Sequence, residues 1–292
     1  MKNRKPKFQK SKTMSNETLN PVNIARDYYN SSDADTFYAT IWGGEDIHVG
    51  LYHSDEDTIP EASRRTQERM TEQLLNRPAV TSSIIDLGSG YGGTARYLAG
   101  QHGCRVVALN LSEVENERAR KLNREQNLDT LIDVIDGDYA DVPYEDQSFD
   151  LVWSQDALLH SPARKDVIKE VSRILKPGGE FVFTDPMQAD DCPEGVLQPI
   201  FDRIHLESMG SPAFYRKTAG DFGLKEVRYL EMTEQLQRHY TSVLKNTEKQ
   251  EDKLRNHVSQ EYLHNMKKGL QHWIDGAANG YLSWGIMHFQ KQ

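Results

Sequence analysis

From Ser82 onward, short apolar runs alternate with longer stretches in which apolar positions recur every three or four residues. "SSIIDLG", "CRVVALN", "LIDVID", "FDLVWS" and "EFVFTD" each read as a strand. Between them, "GTARYLAGQ", "SEVENERARKLNREQN" and "RKDVIKEVSRIL" read as helices. The second opens on a Ser N-cap with Glu three residues later. The third sets Val167, Ile168, Val171, Ile174 and Leu175 on one face and stops at "KPGG". This alternation predicts an α/β fold, a parallel sheet covered on both faces. Upstream, residues 21–42 read as one or two short helices rich in Tyr, and a polar helix runs from about Glu61 to Asn76. Downstream, "LQPIFDRIHLESM" and "AFYRKTAGDFG" read as helical and "LKEVRYLEM" as strand. Residues 233–275 read as a helical insertion ahead of the final strand, "YLSWGIMHFQ".

Composition narrows the setting. With 292 residues, 37% of them hydrophobic, the chain can bury a sizeable core as one large domain with an insertion. No apolar run approaches the roughly 20 residues of a membrane span, and the N-terminus lacks the apolar stretch of a signal peptide. Two cysteines, Cys104 and Cys192, suit a reducing compartment. A cytoplasmic protein without a membrane partner is expected. The charge is uneven: residues 1–12 hold six of the 35 Lys/Arg and no acid, which leaves 29 basic against 44 acidic residues, a net of -15. Such a body repels nucleic-acid phosphates. Residues 1–20 read as a disordered, solubilising basic tail.

The candidate chemistry begins at "DLGSGYGG", Asp86 to Gly93, which joins the first strand to its helix. Its glycines let backbone N–H groups approach a ligand at the carboxyl end of a strand, where open α/β sheets bind. Gly88-x-Gly90-x-x-Gly93 also matches the dinucleotide fingerprint, so this motif alone leaves NAD open. The surroundings favour S-adenosylmethionine. Asp86 precedes the first glycine, where methyltransferases organise the loop around the ammonium of the methionine end. "DGDYADVPYEDQSFDLVWSQDALLH" fits the third and fourth strands of that fold, with Asp138 as acceptor for the adenine amino group beside Tyr139. The end of the second strand, which usually carries an acid for the ribose hydroxyls, carries Asn110 instead, followed by Leu111.

On "WGGEDIHVGLY", "DLGSGYGG", "WSQDALLHSP", "TDPM", "QPIFDRI", "SMGS" and "NMKKGLQHWIDG", the chain resembles the sarcosine/dimethylglycine N-methyltransferases that make the osmolyte glycine betaine. The likeness runs from about Tyr28 to the end. It implies a class I methyltransferase domain over residues 61–292, with a final antiparallel strand, and an N-terminal helical lid over residues 21–60 folded across the cofactor cleft. It implies S-adenosylmethionine as methyl donor, S-adenosylhomocysteine as product and a small zwitterionic amino acid as acceptor. Tyr38, Asp86, Gly88, Ser89, Gly90, Asn110, Leu111, Asp138, Tyr139 and Gln155 would serve the cofactor. Trp42 would supply an aromatic wall, Gly43 and Gly44 a close approach or hinge, and Asp46 and His48 polar contacts; Glu45 and His53 read as surface groups.

The chemistry asks chiefly for positioning and desolvation of a neutral amine, with a proton acceptor near it. Asp156 and His160, four apart, are expected on one face of a short helix as the catalytic pair. The acceptor carboxylate calls for a bidentate Arg, either Arg203 or Arg216. Pro186 and Met187 should border the same pocket. Tyr28, Tyr29, Trp42 and Tyr215 could offer aromatic faces to the cationic nitrogen. No metal motif occurs, and His257 and His264 read as exposed. Three other readings remain open: methylation of another small amine such as phosphoethanolamine, an NAD-dependent oxidoreductase, and a non-catalytic cofactor-binding module. A monomer and a homodimer are equally compatible with the sequence.

Overall fold

The computed structural model describes residue 26 and residues 30–292, so the basic tail, Tyr28 and Tyr29 lie outside the described residues. Five strands appear where the apolar runs predict them: β1 (Ser83–Leu87), β2 (Arg105–Asn110), β3 (Ile132–Asp136), β4 (Phe149–Gln155) and β5 (Leu175–Thr184). Beyond them come β6 (Met187–Gln188), β7 (Leu224–Glu231), β8 (Leu282–Ser283) and β9 (Gly285–Lys291). The main sheet runs β3-β2-β1-β4-β5-β9-β7. β1 to β5 are mutually parallel, and β9 is antiparallel to both its neighbours. β6 and β8 form a separate two-stranded ribbon.

The pleat sends alternate residues to opposite faces, and each face meets its own helices. On one side Ile85, Val152, Phe181 and Phe183 pack against Val167 and Val171 of α5 (Arg164–Ile174) and Ala219 of α7 (Pro212–Asp221). On the other, Ile84, Trp153 and Val182 pack against Met70 of α2 (Ile59–Gln73) and Ala95, Leu98 and Ala99 of α3 (Gly93–His102). α4 (Glu113–Glu125) follows β2, and α6 (Gln198–Ile204) precedes α7.

Local chemistry sets the helix limits. α2 starts two residues before Glu61 because Thr58 and Glu61 form a reciprocal capping box around Pro60. It ends at Gln73, short of Asn76, because the Leu75 and Asn76 backbone N–H groups donate to the buried Glu180 carboxylate at 2.8 and 2.9 Å. α6 is shorter than its sequence suggests, as His205 turns left-handed at φ 56° and closes it.

Two further parts shape the ligand end of the sheet. α1 (Ser32–Ile41) lies upstream of a long loop, residues 42–58. The insertion between the last sheet strands contains α8 (Thr233–Lys249), α9 (Glu251–Leu254) and α10 (Gln260–Ala278). Phe37, Ile41 and Trp42 join Val243, Leu263, Met266 and Leu270 in an apolar cluster apart from the sheet's two faces. The order of strands reverses between β1 and β4, and open α/β sheets bind ligands in the crevice there.

Candidate active site

At that crevice β1 ends in the glycine loop. Gly88 has φ +76°, and a Cβ there would stand 2.4 Å from the Ala157 Cβ, so a side chain would be both strained and obstructed. The Gly88 and Ser89 amides donate to the Leu109 carbonyl at 2.8 and 3.2 Å, tying the loop to β2. Gly88, Gly90, Asn110, Leu111, Asp138, Tyr139 and Gln155, seven of the residues expected to serve the cofactor, line one cavity together. Asp86 is buried and Ser89 half-buried, and neither lines that cavity.

The residues fit a polar, cationic ligand. Asp86 Oδ2, Ser89 Oγ and Gln155 Nε2 are buried with no hydrogen-bond partner among the described residues, and unmet groups of this kind are rare inside a fold. Burial pushes the Asp86 carboxyl up to about 7, and an ammonium beside it would favour the ionised form that burial disfavours. On the far wall, Asp138 Oδ1 accepts from the Ala140 amide at 2.9 Å, and the Tyr139 hydroxyl donates to the Ala157 carbonyl at 3.0 Å.

One residue on this wall was misread from the sequence. Ser112 caps α4 by accepting from the Glu115 amide at 3.2 Å, but the expected return bond from the Glu115 side chain is absent. The Glu115 carboxylate instead accepts from Asn110 Nδ2 at 2.8 Å and lines the cavity. Burial raises its carboxyl to about 7. An acid therefore stands in this cavity beside Asn110 after all, five residues further along the chain. Its signal, Ser-x-x-Glu, was identical to that of a cap.

The loop from Trp42 to Thr58 is fastened across the molecule. Gly43 and Gly44 take φ +91° and +84°, and a Cβ on Gly43 would meet Pro60 Cγ at 2.6 Å. The Val49 amide donates to Asp156 Oδ2 at 2.6 Å, the Gly50 amide to His239 Nδ1 at 3.2 Å, and the Tyr52 amide to Gln235 Oε1 at 2.7 Å. The Thr66 hydroxyl donates to the Val49 carbonyl at 2.8 Å. Asp46 and His48 form a buried pair 3.3 Å apart. Although burial opposes both charges, their mutual attraction prevails, lowering the aspartic acid and raising the histidine. Glu45 reaches Arg96 at 3.5 Å and Gln126 at 2.9 Å, whereas His53 is exposed.

Beneath this loop lies a second cavity, which shares Ile47, Asp156 and His160 with the first. Trp42, Tyr38, Tyr240 and Trp273 give it aromatic walls, and Arg203, His48 and His239 give it polar ones. The Arg203 side chain crosses Gly269 of α10, where a Cβ would stand 2.0 Å from its Cδ, and its Nη2 lies 2.9 Å from Met266 Sδ. Pro186 also lines this cavity.

Several expectations need correction. Tyr38 faces the second cavity and not the first, with its ring 5.0 Å from that of Trp42. Met187 packs into the apolar core and, unlike Pro186, does not line the second cavity. Tyr215 is fully buried and donates its hydroxyl to Asp185 Oδ2 at 2.7 Å. Arg216 lies outside both cavities, bonded to Glu226 at 2.7 Å and stacked 5.0 Å over Tyr229. Asp156 does not share a helix with His160. It follows β4 at φ 51°, and the turn containing His160 is a single 3-10 turn, Leu158–His160. Both Asp156 oxygens are engaged, one by the Val49 amide and the other by Trp284 Nε1 at 2.8 Å. His160 keeps its place where the cavities meet, and burial holds it down at about 4, with Arg164 adding to the effect. It is neutral at pH 7. His257 and His264 are exposed, and no cluster of three or more His, Cys, Asp or Glu side chains able to hold a metal occurs among the described residues.

The sheet order, the glycine loop and its buried acid define a class I S-adenosylmethionine-dependent methyltransferase, and residues 85–183 match the family described as "Methyltransferase domain". The chain is 58% identical over 270 residues to the sarcosine/dimethylglycine N-methyltransferase of Halorhodospira halochloris, covering 92% of this chain and 96% of that one. It is 51% identical over 267 residues to the enzyme of the same name from Aphanothece halophytica, covering 91% and 96%. A crystal structure assigned to a candidate sarcosine dimethylglycine methyltransferase from Galdieria sulphuraria superposes with a TM-score of 0.83 at 42% identity, covering 89% of this chain and 98% of that one. This chain belongs to the sarcosine/dimethylglycine N-methyltransferase family. No helix among the described residues is long and apolar enough to cross a membrane.

Proposed function

We propose that the chain transfers methyl groups from S-adenosylmethionine to the amine of sarcosine, dimethylglycine or both, ending in glycine betaine, and so supplies an osmolyte. The observation that carries this is the second cavity. It sets one arginine, Arg203, among the rings of Tyr38, Trp42, Tyr240 and Trp273, and it meets the glycine-loop cavity at His160. A guanidinium suits a carboxylate, and aromatic faces suit the positive charge that develops on a methylated nitrogen.

Asp86 and the loop amides would hold the amino-acid end of the methyl donor, Glu115 and Asn110 the ribose, and Asp138 the adenine. When bound, the donor supplies a sulfonium methyl group, which an amine lone pair attacks without further activation. The remaining work belongs to the chain. Arg203 fixes the acceptor's carboxylate, and the aromatic walls exclude water around its nitrogen. His160, held neutral, accepts a hydrogen bond from an N–H of sarcosine and orients the lone pair, but at about 4 it stores a proton poorly. Asp156 acts through others, fastening the Val49 end of the 42–58 loop to Trp284. Residues 32–58 thus close the acceptor site as a wall anchored at many points. Metal ions have no assigned part.

Phosphoethanolamine is a weaker candidate, because no lysine lines the second cavity among the described residues. Assay with labelled S-adenosylmethionine against glycine, sarcosine, dimethylglycine and phosphoethanolamine tests the reading. Turnover of sarcosine or dimethylglycine is expected; a preference for phosphoethanolamine would sink it.

A further inference from the structure

His239 belongs to α8, in the insertion, and nothing in its sequence context marks it as a ligand. Its ring is 1% exposed and stands 5.6 Å from the Trp42 ring, 5.9 Å from that of Tyr52 and 5.5 Å from that of Tyr240. Nδ1 is 3.2 Å from the Gly50 backbone nitrogen and 3.0 Å from the Tyr52 hydroxyl. A backbone amide can only donate, so Nδ1 carries the lone pair and the ring's proton is on Nε2. Tyr52 then donates to the same lone pair. Burial keeps the ring neutral, holding it at about 3. Gly50 and Tyr52 lie outside the second cavity, whereas His239 lines it. The Nε2–H edge, opposite Nδ1, has no acceptor among the described residues.

We propose that His239 is a specificity residue of the acceptor cavity, donating Nε2–H to a carboxylate oxygen of the substrate beside Arg203. This rests on the acceptor reading above and adds to it a neutral donor whose tautomer is set by the backbone of the 42–58 loop. A single guanidinium attracts any anion. A second, fixed N–H donor at a defined angle favours a planar carboxylate and leaves a buried donor unmet when the acceptor lacks one. The loop therefore helps select the substrate without touching it, because Gly50 decides which nitrogen of His239 carries the proton.

Two variants separate this role from packing. In His239→Asn the amide oxygen can take the place of Nδ1 and keep the Gly50 and Tyr52 bonds, while the donor toward the cavity is lost. In His239→Gln the longer amide can reach the Nε2 position. The readout is the ratio of kcat/KM for dimethylglycine to that for dimethylethanolamine, which replaces the carboxylate by a neutral alcohol. Thermal midpoints and S-adenosylhomocysteine affinity serve as controls. His239→Asn is expected to lower the ratio by about 10- to 100-fold through KM for dimethylglycine, and His239→Gln to keep it within about threefold of wild type. An unchanged ratio in His239→Asn overturns the proposal, as does an equal loss on both acceptors. If either variant melts early, imidazole 15N shifts of the wild-type protein decide the point, since a proton on Nδ1 would also overturn it. Wild-type enzyme without activity on any methylated glycine would instead refute the acceptor reading itself.

Discussion

Asp86 offers the sharpest test of the cofactor assignment. Its carboxylate is 2% exposed, Oδ2 has no hydrogen-bond partner among the described residues, and its pKa is raised to about 7, chiefly by burial. If the ammonium of the cofactor binds there, it binds the ionised form, so binding expels a proton from any molecule that still holds one. The sign follows: affinity is fully developed above about pH 7 and weakens as pH falls through that value. For a group titrating near 7, the apparent Kd for S-adenosylhomocysteine should rise about 30-fold between pH 8 and pH 5.5. Over this range the ligand's own amine and carboxyl groups keep their charges. Asp86→Asn removes the counter-charge and the titration together. It should weaken binding at pH 8 by about 2 to 5 kcal/mol, or roughly 30- to 5,000-fold. Its remaining affinity should depend on pH less steeply than that of wild type, with Glu115 the one raised carboxyl left on the cavity wall. Calorimetry in two buffers of different ionisation enthalpy measures the affinity and the proton release in one experiment. A flat wild-type profile, or an Asp86→Asn variant binding within threefold of wild type, would refute the reasoning.

Other expectations follow from the same geometry. Arg203→Ala should raise KM for dimethylglycine by roughly 30-fold or more with S-adenosylhomocysteine affinity nearly intact, whereas Arg216→Ala, on the surface, should leave steady-state kinetics within twofold of wild type. Glu115→Leu should cost about 1 to 3 kcal/mol of cofactor affinity by leaving the ribose hydroxyls and Asn110 without an acceptor, read by calorimetry. Asp156→Ala should lower both Tm and kcat, because the Val49 amide and Trp284 Nε1 lose their shared partner; unchanged melting would show that the anchor does little. Asp185 is fully buried with its carboxyl raised to about 8. A raised folded pKa contributes stability that is complete below the unfolded value near 4 and is lost as pH rises through 8. Asp185→Asn should therefore gain stability on wild type as pH rises from 5 to 8, by up to about 1.4 kcal/mol per pH unit, read as a widening gap in Tm. A gap that narrows with pH would contradict the assignment.

Much of the fold and of the glycine-loop cavity was legible along the chain, because both depend on local order. A strand, a turn and a helix are written in consecutive residues, so short apolar runs and period-3.6 patterns located β1 to β5 and the helices between them. The glycine loop was legible for the same reason: positive φ at Gly88 and the close approach of Ala157 require a residue without a side chain. Where one local pattern serves two purposes, the sequence misled. Ser112-x-x-Glu115 reads as a capping box, and only the position of Asn110 shows the carboxylate turned to the cavity.

The second cavity, proposed as the acceptor site, was hidden because it is assembled from segments far apart in sequence. Arg203 and Arg216 carry the same charge in neighbouring helices, and nothing local distinguishes them. The path of α10 does, since it leaves Gly269 beneath Arg203, whereas α7 turns Arg216 toward Glu226 at the surface. The Asp-x-x-x-His spacing suggested one helical face, but a left-handed Asp156 breaks the helix before it starts and commits the carboxylate to Val49 and Trp284, which lie 107 and 128 residues away. His239 was invisible for the same reason, since its Nδ1 is met by the amide of Gly50, 189 residues earlier. By itself the sequence determined the sheet, the glycine loop and the family, for these rest on short-range geometry and composition. Which arginine, which histidine and which acid line the two cavities was decided only by tertiary packing, because direction in space is set by the partners a side chain meets after the chain has closed.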